Sequence, residues 1–520
     1  MTATTPALIN ALLEPARYPH AVQSVALMET HGAWVLLAGD HAWKIKKPVR
    51  LPFMDFSTLA LRRTACQAEV QLNRRFETAD PATHLYLDAL PIVGPATRPR
   101  FGQAGSDDEQ AIEWAVHMRR FDEDQRLDHL CARGALKPEH LTSLARRMAA
   151  FQDTAAVASA DGSLGRATDV LSFARDNLTA LHNGLTEAPD AAQIEALGQW
   201  TESQFQALEP LLAQRLSSGR VREGHGDLHL ANLVLIGNEV VPFDGIEFNE
   251  ALRWIDVASD MAFAWMDLLD HDQPGLANGL LSDWLDASGD SGAPDVLPFF
   301  SVYRALVRAK VALIRSTQAG ADRDVCMNEA RAYAALAQRI AQPPAPQLVI
   351  THGLSGSGKT WASSRWLQAE ASGRAIRLRS DVERKRLHGL SATQASGSGM
   401  NTGLYSPQAH GDTYAHLLER TGHLLREGWS VLVDAAFLRR HEREAFAALA
   451  KADGCPFHIL ATEAPLAVLR ERITARQARG ADASEATVAV LEQQLGWLEA
   501  LSDAERACCL PSHGRPVAPP

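Results

Sequence analysis

The sequence predicts a protein of two parts, one in the α+β class and one in the α/β class, and three observations lead to that prediction. Residues 1–110 contain alternating apolar runs typical of strands, and residues 121–341 have mainly helical patterning. After residue 347, short apolar runs alternate with helical stretches, which indicates a parallel sheet flanked by helices. A proline-rich segment, 342–347, separates the two patterns and stiffens the backbone between them.

The chain of 520 residues is longer than a single hydrophobic core normally organises, so several domains are expected. The predicted divisions are a strand-rich lobe at 1–120, a helical lobe at 121–341, a linker at 342–347, an α/β domain at 348–510 and a flexible tail at 511–520. A segment rich in small residues, 391–404, is also expected to be flexible.

Composition and charge limit the classes of function. Hydrophobic residues make up 46% of the chain and charged residues 22%, as in ordinary globular proteins. The net charge of −11 repels polyanions and argues against nucleic acid as a partner. No apolar run approaches the roughly 18 residues of a membrane span, and no signal-peptide pattern is seen, so a cytoplasmic protein without a membrane partner is expected. The six cysteines are scattered, which predicts reduced thiols rather than disulfides or a zinc site.

The segment GLSGSGKT follows an apolar strand and opens a helix, and it fits the phosphate-binding pattern GxxxxGK[ST]. Glycines let backbone N–H groups approach phosphate oxygens, and the helix N-terminus adds positive potential. The Lys359 ammonium would contact the phosphates of ATP, and the Thr360 hydroxyl would bind Mg²⁺. The predicted ATP-binding residues here are Gly353, Ser355, Gly356, Ser357, Gly358, Lys359 and Thr360.

Two carboxylates at strand ends are candidates for the chemistry next to this loop. Asp434 ends the apolar run SVLVD, which suits a magnesium-binding residue; the alternative is a carboxylate that caps the next turn. Asp381 follows the strand-like run AIRLRS and could orient an acceptor hydroxyl and take its proton; the alternative is a helix N-cap.

Three arginines recur at helical spacing, so one helix face would carry all of them. Arg472, Arg476 and Arg479 could close over the transferring phosphoryl group and neutralise its charge. The alternative is a solvated basic face, which is common on surface helices.

The motifs GLSGSGKT, RSDVERKR, VLVDAAF and RITARQAR together resemble the small P-loop kinases of the gluconate-kinase-like and zeta-toxin-like groups. The resemblance covers the last third of the chain. It implies ATP-dependent transfer to a hydroxyl group, with Asp381 at the acceptor and the arginines in a lid.

A second constellation lies in the helical region, in the segment HGDLHLAN and the later FDG. Asp227 and Asn232 have the spacing of the kinase catalytic loop, and Asp244 follows at a separation that suits a metal-binding aspartate. Asp227 would accept the proton of the attacking hydroxyl, and Asn232 and Asp244 would hold Mg²⁺. The alternative is direct metal binding by His225 and His229.

The strand-like segment HAWKIKK supplies the candidate phosphate contact of this region. Lys44 is the predicted ATP-binding lysine, and Glu69 on the following helix is its predicted ion-pair partner. Lys46 shares the same strand face by the period of two and remains an alternative. For both lysines the other alternative is a basic edge strand that discourages aggregation.

The motifs HGDLHLAN and FDGIEF, with Asp256 and Asp260 in RWIDVASDMAF, resemble the aminoglycoside phosphotransferase family within the protein-kinase-like superfamily. The resemblance implies a bilobal fold that uses ATP and Mg²⁺ to phosphorylate small hydroxylated molecules such as aminoglycosides, choline or sugars. One departure is the hairpin METHGAWVLLAG, which lacks the GxGxxG loop of protein kinases.

The combined order of domains resembles bacterial two-domain fusions and predicts a bifunctional phosphotransferase with a small hydroxylated acceptor at each site. Two alternatives are an antibiotic-resistance or toxin-like kinase, and a nucleotide-sensing regulator in which one domain only binds ATP. Neither the acceptors nor the oligomeric state follow from the sequence.

Overall fold

The computed structural model describes residues 6–30, 32–51, 54–77, 80–318, 320–392, 394, 403–479 and 486–510. The predicted flexible tail at 511–520 and most of the segment 391–404 lie outside these residues. The chain forms two compact units. The first unit comprises Met1–Asp267 and Phe299–Gln338, and the second comprises Leu268–Pro298 and Arg339–Pro520.

The strands of the first unit form one large antiparallel sheet and several small ones. In chain order they are β1 (Val25–Glu29), β2 (Ala33–Ala38), β3 (His41–Lys46), β4 (Arg50–Leu51), β5 (Met54–Asp55), β6 (Tyr86–Val93), β7 (Arg100–Phe101), β8 (Ala111–Arg119), β9 (Val221–Glu223), β10 (Leu233–Ile236), β11 (Glu239–Pro242) and β12 (Trp254–Asp256). The large sheet has the order β1-β2-β3-β8-β6-β7, and β4-β5, β10-β11 and β9-β12 pair separately.

Helices α1 to α11 precede the parallel sheet of the second unit in the chain. In chain order they are α1 (Ala7–Leu12), α2 (Leu59–Asn73), α3 (Leu127–Ala132), α4 (Pro138–Thr154), α5 (Ala167–Gly184), α6 (Ala188–Ser217), α7 (Glu250–Arg253), α8 (Val257–Asp270), α9 (Pro274–Ser288), α10 (Ala293–Ser316) and α11 (Arg323–Ala341). Of these, α2 supplies Glu69 and α8 supplies Asp260. Helix α9 belongs to the second unit.

Strand β3 shows how alternation places charge on one face of the large sheet. Trp43 and Ile45 are fully buried in an apolar cluster with residues of β2 and α1. Lys44 and Lys46 point to the opposite face, where α2 packs. Because β3 pairs with both β2 and β8, it is an interior strand, and the basic-edge interpretation of these lysines is wrong.

Helix α2 covers the face of the sheet that carries the lysines. The Thr58 hydroxyl caps its first turn by accepting a hydrogen bond from the backbone N–H of Leu61. Cys66 and Val70 pack into a core cluster with residues of β6 and β8, and the same side of the helix buries Glu69 completely. The helix that the sequence predicts after HAWKIKK, with Glu69 on it, is therefore confirmed.

The second unit contains a parallel sheet flanked by helices, as the alternation of short apolar runs predicts. Its strands are β13 (Leu348–His352), β14 (Ala375–Arg379), β15 (Ser430–Asp434) and β16 (Phe457–Ala461), in the order β14-β15-β13-β16. Every pairing is parallel. The further helices are α12 (Lys359–Ala369), α13 (Ser380–Leu387), α14 (Pro407–Arg426), α15 (Arg440–Ala452), α16 (Leu466–Arg479), α17 (Val488–Leu495) and α18 (Asp503–Ala507). The predicted fold class is confirmed.

Helix α9 covers the edge of this sheet by bonding to strand β14. The Asn278 amide oxygen accepts a hydrogen bond of 2.9 Å from the backbone N–H of Ala375, and the Ser282 hydroxyl accepts one of 3.1 Å from that of Arg377. Side chains of the helix thus pair the backbone groups that an edge strand leaves open. The compact second unit includes this helix, whereas the predicted division at 342–347 groups it with the helical lobe.

Among the residues that the structure describes, none of the helices has the length and apolar character needed to cross a membrane.

Two glycines of α9 provide a matched test of this packing. A Cβ atom at Gly275 would lie 2.0 Å from the carbonyl oxygen of Gln368 in α12, whereas one at Gly279 would meet nothing within 4 Å. We expect Gly275→Ala to lower the free energy of unfolding of the second unit by about 1–3 kcal/mol, because helix backbone must move. Gly279→Ala should raise it by up to about 1 kcal/mol, because alanine favours the helix.

Hydrogen-exchange protection of peptides from α9 and β14 measures both effects. Equal protection in the two variants would contradict the close packing of α9 on α12.

Candidate functional site

The loop between β9 and β10 in the first unit is held by the carboxylate of Asp260. Its two oxygens accept hydrogen bonds from the backbone N–H groups of His225, at 2.8 Å, and Gly226, at 2.9 Å. Gly226 has a φ of 86°, which favours glycine. The guanidinium of Arg304 donates to the Gly226 carbonyl at 2.9 Å. Side chains of α8 and α10 therefore hold the backbone of this loop in place.

Asp227 and Asn232 are brought together by this loop, as their spacing predicts. The Asn232 amide nitrogen donates 3.0 Å hydrogen bonds to the backbone carbonyl and to the Oδ2 atom of Asp227. The Asp227 side chain keeps 36% of its surface exposed, so a small molecule can reach it. Burial alone would raise the pKa of Asp227, but His229, Arg308 and His225 together lower it well below its ordinary value. Asp227 is therefore ionised at neutral pH.

His225 has both ring nitrogens engaged within the fold. Its Nδ1 accepts a hydrogen bond from the Asp227 backbone N–H, and its Nε2 donates to the Phe243 carbonyl at 3.0 Å. Burial lowers the pKa of the imidazole, which favours this neutral form. Within the described part of the chain, no group of three or more His, Cys, Asp and Glu side chains could hold a metal. Because both ring nitrogens of His225 are engaged in these hydrogen bonds, direct metal binding through His225 is excluded.

Asp244 adopts a left-handed backbone conformation, with a φ of 60°, and its side chain is 44% exposed. Its backbone N–H donates to the Tyr86 hydroxyl at 2.9 Å, and the next N–H, of Gly245, donates to the Asn73 side chain at 2.8 Å. A non-glycine residue at positive φ indicates strain that its surroundings maintain. Residues from β6 and α2 thus hold the turn that presents the Asp244 carboxylate.

Lys44 and Lys46 both contact Glu69, and each has a second carboxylate of its own. Lys44 Nζ lies 2.8 Å from Glu69 Oε1 and also pairs with Asp244. Lys46 pairs with the other Glu69 oxygen and with Glu247. Of the two lysines, only Lys44 contacts the aspartate predicted to bind Mg²⁺, while Lys46 is buried with 2% of its side chain exposed. The geometry favours Lys44 over Lys46 as the phosphate contact.

The electrostatics of this cluster follow from burial and pairing. Burial would lower the pKa of Lys44, but Asp244, Glu69 and Glu247 outweigh it and raise that pKa well above its ordinary value. Burial would raise the pKa of Glu69, but the two lysines lower it. Both lysines and Glu69 are therefore charged at neutral pH. Glu247 lies in the segment FDGIEF, three residues after Asp244, but no motif of the sequence indicates its pairing with Lys46.

The second unit has a cavity of about 310 Å³ at the carboxyl ends of its strands, where open parallel sheets bind ligands. It brings together most of the residues predicted for this unit. Those that line it are Ser355, Gly356, Gly358, Lys359, Thr360, Asp381, Asp434, Arg472 and Arg476.

The P-loop, which is the segment GLSGSGKT at residues 353–360, folds tightly around Lys359. A Cβ atom at Gly353 would lie 2.4 Å from the Thr462 carbonyl oxygen, so only glycine fits there. Lys359 Nζ donates to the carbonyls of Gly353 and Leu354, each at 2.9 Å. Ser357 does not line the cavity; its hydroxyl is hydrogen-bonded to Thr462 at 2.7 Å. Burial lowers the pKa of Lys359, and negatively charged phosphate would oppose that shift.

Asp434 and Asp381 both lie beside the P-loop, at the ends of β15 and β14. The buried Asp434 carboxylate accepts a 3.1 Å hydrogen bond from the Ser363 hydroxyl of α12. Asp381 lies in the first turn of α13 and pairs with Arg384 at 2.9 Å. The N-cap of α13 is Arg379, so the alternative role of Asp381 as an N-cap is wrong.

Two of the three predicted lid arginines line the cavity. Arg472 donates to the Gly356 carbonyl of the P-loop at 3.2 Å, and Arg476 donates to the Ala486 carbonyl at 3.2 Å. Both are half-buried, so they do not form a solvated face. The side chain of Arg479 lies outside the described part of the structure.

A further part of the cavity lining consists of residues that no sequence motif indicated. It includes His410 and Tyr414 from α14, Arg439 and Glu442 at the start of α15, and Trp497. Glu442 is 5% exposed and pairs with His410 Nε2 at 2.8 Å. These residues are separated by up to 87 positions in the chain, so only the fold brings them together.

Comparison with known families identifies the domain that contains this cavity. Residues 348–501 match the family model described as "AAA domain". The matched range includes the P-loop, both strand-end aspartates and the arginines of α16. The predicted P-loop domain at the C-terminal end of the chain is confirmed.

Relatives that align along nearly the whole chain occur in mycobacteria. Uncharacterized proteins of Mycobacterium tuberculosis (strain ATCC 25618 / H37Rv) and Mycobacterium bovis (strain ATCC BAA-935 / AF2122/97) are 28% identical over 474 residues, which is 91% of this chain and 91% of each relative. The aligned length exceeds that of either unit, so the similarity extends across both.

Similar solved structures include three kinases or phosphotransferases. A choline/ethanolamine kinase family protein from Mesorhizobium loti aligns with 64% of this chain and 98% of its own, at 13% identity and a TM-score of 0.40. An amicoumacin kinase aligns with 64% of this chain and 92% of its own, at 13% identity and a TM-score of 0.39. An aminoglycoside phosphotransferase from Alicyclobacillus acidocaldarius aligns with 63% of this chain and 92% of its own, at 13% identity and a TM-score of 0.38.

The cluster around Glu69 predicts different effects for its two lysines. Lys46→Met leaves the buried Glu247 unpaired, and we expect the free energy of unfolding of the first unit to fall by about 3–5 kcal/mol. Lys44→Met leaves Glu69 paired with Lys46 and frees the partly exposed Asp244, so we expect a loss of no more than about 1 kcal/mol.

Urea unfolding followed by hydrogen exchange of peptides from β3 and α2 measures both variants. A larger loss of stability for Lys44→Met than for Lys46→Met would contradict this assignment.

Proposed function

We propose that the chain is a bifunctional, ATP-dependent phosphotransferase in which each unit transfers a phosphoryl group to a hydroxyl of a small molecule. One observation supports the proposal: each unit contains a lysine, oxygen-bearing side chains and a further carboxylate, and these groups suit phosphate, Mg²⁺ and an acceptor hydroxyl respectively. In this proposal they are Lys44, Asn232, Asp244 and Asp227 in the first unit and Lys359, Thr360, Asp434 and Asp381 in the second.

Asp227 is the residue we assign to the acceptor hydroxyl in the first unit. Transfer forms a bond between the acceptor oxygen and the γ-phosphorus and breaks the bond to the ADP oxygen, and the hydroxyl proton passes to the carboxylate. The lowered pKa of Asp227 keeps it ionised, so it can accept a hydrogen bond from the hydroxyl and orient it. The hydrogen bond from Asn232 holds the carboxylate in place.

Oxygen donors in both units fit Mg²⁺, which prefers carboxylate, hydroxyl and amide oxygens. Asn232 donates to Asp227 through its nitrogen, which leaves its amide oxygen available. Its backbone carbonyl accepts a 3.0 Å hydrogen bond from the N–H of Phe243, the residue before the partly exposed Asp244. In the second unit Thr360 and Asp434 line the cavity. A bound Mg²⁺ would neutralise charge on the phosphates.

Separate loss of two activities tests the proposal. We expect Asp227→Asn to lower phosphorylation by the first unit by about 10²–10⁴-fold, because the carboxylate that receives the proton is lost. Lys359→Ala should abolish a different set of products, because the second unit loses its phosphate contact. Mass spectrometry of a metabolite extract incubated with ATP and each variant detects both sets.

The double variant Asp227→Asn/Lys359→Ala is the control and should form neither set of products. If neither single substitution changes any ATP-dependent product, the proposal is wrong. If one unit binds ATP yet forms no product with any acceptor, that unit is a nucleotide sensor instead.

A further inference from the structure

The cavity of the second unit extends beyond the phosphate-binding residues to a second region, which we call the far wall and define as His410, Tyr414, Arg439, Glu442 and Trp497. Asp381 lines the same cavity as the P-loop residues and the far wall. An acceptor whose hydroxyl lies at Asp381 would therefore place the rest of its body against the far wall.

Arg439 is the cation of the far wall, and its position is fixed by stacking. Its guanidinium carbon lies 4.8 Å from the centre of the Trp497 ring. Within the described ranges, no carboxylate lies at salt-bridge distance from this guanidinium, whereas Arg384, which also lines the cavity, pairs with Asp381. A positive charge that is held in place without an acidic partner is suited to an anionic group of a ligand.

Glu442 orders the far wall without neutralising Arg439. One carboxylate oxygen pairs with His410 Nε2 at 2.8 Å, and the other accepts a hydrogen bond from the backbone N–H of Arg439 at 3.3 Å. The His410 ring lies 4.6 Å from that of Tyr414, measured between centres. The wall thus combines apolar ring surfaces, against which a carbon skeleton can pack, with one uncompensated guanidinium.

We propose that the second unit phosphorylates a small hydroxylated compound that carries a carboxylate or phosphate group, and that Arg439 binds this anionic group while Asp381 receives the hydroxyl. The inference rests on the proposed phosphotransferase function of this unit. Arg439 acts as a specificity residue, and the arginines of α16 remain with the phosphates of ATP.

The test is a phosphorylation screen in which the full chain and ATP are incubated with a bacterial extract of compounds below 1 kDa. Products that Lys359→Ala no longer forms belong to the second unit. Each acceptor identified is then assayed with Arg439→Gln, Arg439→Lys and the control Arg440→Gln. Arg440 is the exposed neighbour of Arg439 and does not line the cavity, so the control removes the same charge outside the site.

We expect the acceptor to carry an acidic group and Arg439→Gln to raise its KM by about 10- to 100-fold, as for the loss of a charge-assisted contact. The KM for ATP should stay within about twofold. Arg439→Lys should have an intermediate KM, because the charge remains without the bidentate fork. Arg440→Gln should match the unmodified protein.

An acceptor without an acidic group would overturn this inference, as would a KM for the acceptor that Arg439→Gln leaves unchanged. A weaker affinity of Arg439→Gln for ATP would also overturn it, because Arg439 would then belong to the nucleotide site. In these outcomes the phosphotransferase function stands. If no product depends on Lys359, the proposed function of the second unit fails and the inference fails with it.

Discussion

The fully buried carboxylate of Glu69 is the interaction on which the charged cluster of the first unit depends. It accepts hydrogen bonds from Lys44 and Lys46 on the facing strand. A buried charge without a partner is strongly destabilising, so α2 and the large sheet can pack only with these groups together. The same contacts hold Lys44 beside Asp244, and so the chemistry of the site follows from the packing of one helix on one sheet.

The second unit places its lysine in a different way. Lys359 is held by two backbone carbonyls rather than by carboxylates, and burial lowers its pKa. Lys44 has its charge balanced by the protein, whereas Lys359 would gain much of its balance from phosphate. The two units therefore hold a lysine cation by two physical arrangements, one based on ion pairs and one based on a tight glycine loop at a helix N-terminus.

Backbone geometry accounts for the placement of the loop between β9 and β10 in the first unit. The Asp260 carboxylate accepts two consecutive backbone N–H groups, and a Cβ atom at Gly224 would lie 2.4 Å from its Oδ2 atom. The segment RWIDVASDMAF thus contributes a residue that acts through the loop rather than on a ligand. Asp227 keeps its orientation because α8 anchors the chain just before it.

The sequence predicts those parts of both sites that lie in short motifs. Lys44 contacts Glu69 and Asp244, and Asn232 contacts Asp227. The backbone N–H of Phe243 joins the two groups by donating to the Asn232 carbonyl. Each motif fixes a turn or a strand face that the fold preserves. Lys44 and Lys46 could not be distinguished in sequence, since strand alternation gives them the same face and only burial separates them.

Other features depend on contacts between distant segments, and no local pattern encodes them. Helix α9 has ordinary helical patterning, and its attachment to β14 requires backbone groups almost 100 residues away. The far wall joins α14, α15 and Trp497 through the Glu442 carboxylate and the stacking of Arg439. Glu247 lies in the motif FDGIEF, but its pairing with the buried Lys46 depends on the packing of distant segments.

The central claim is that one chain holds two independent ATP sites, and nucleotide stoichiometry tests it most directly. Isothermal titration of the full chain with AMP-PNP and Mg²⁺ should give two molecules bound per chain. Lys44→Met and Lys359→Ala should each give one, and the double variant none. A stoichiometry of one in the unmodified protein, or two in either single variant, would contradict the account.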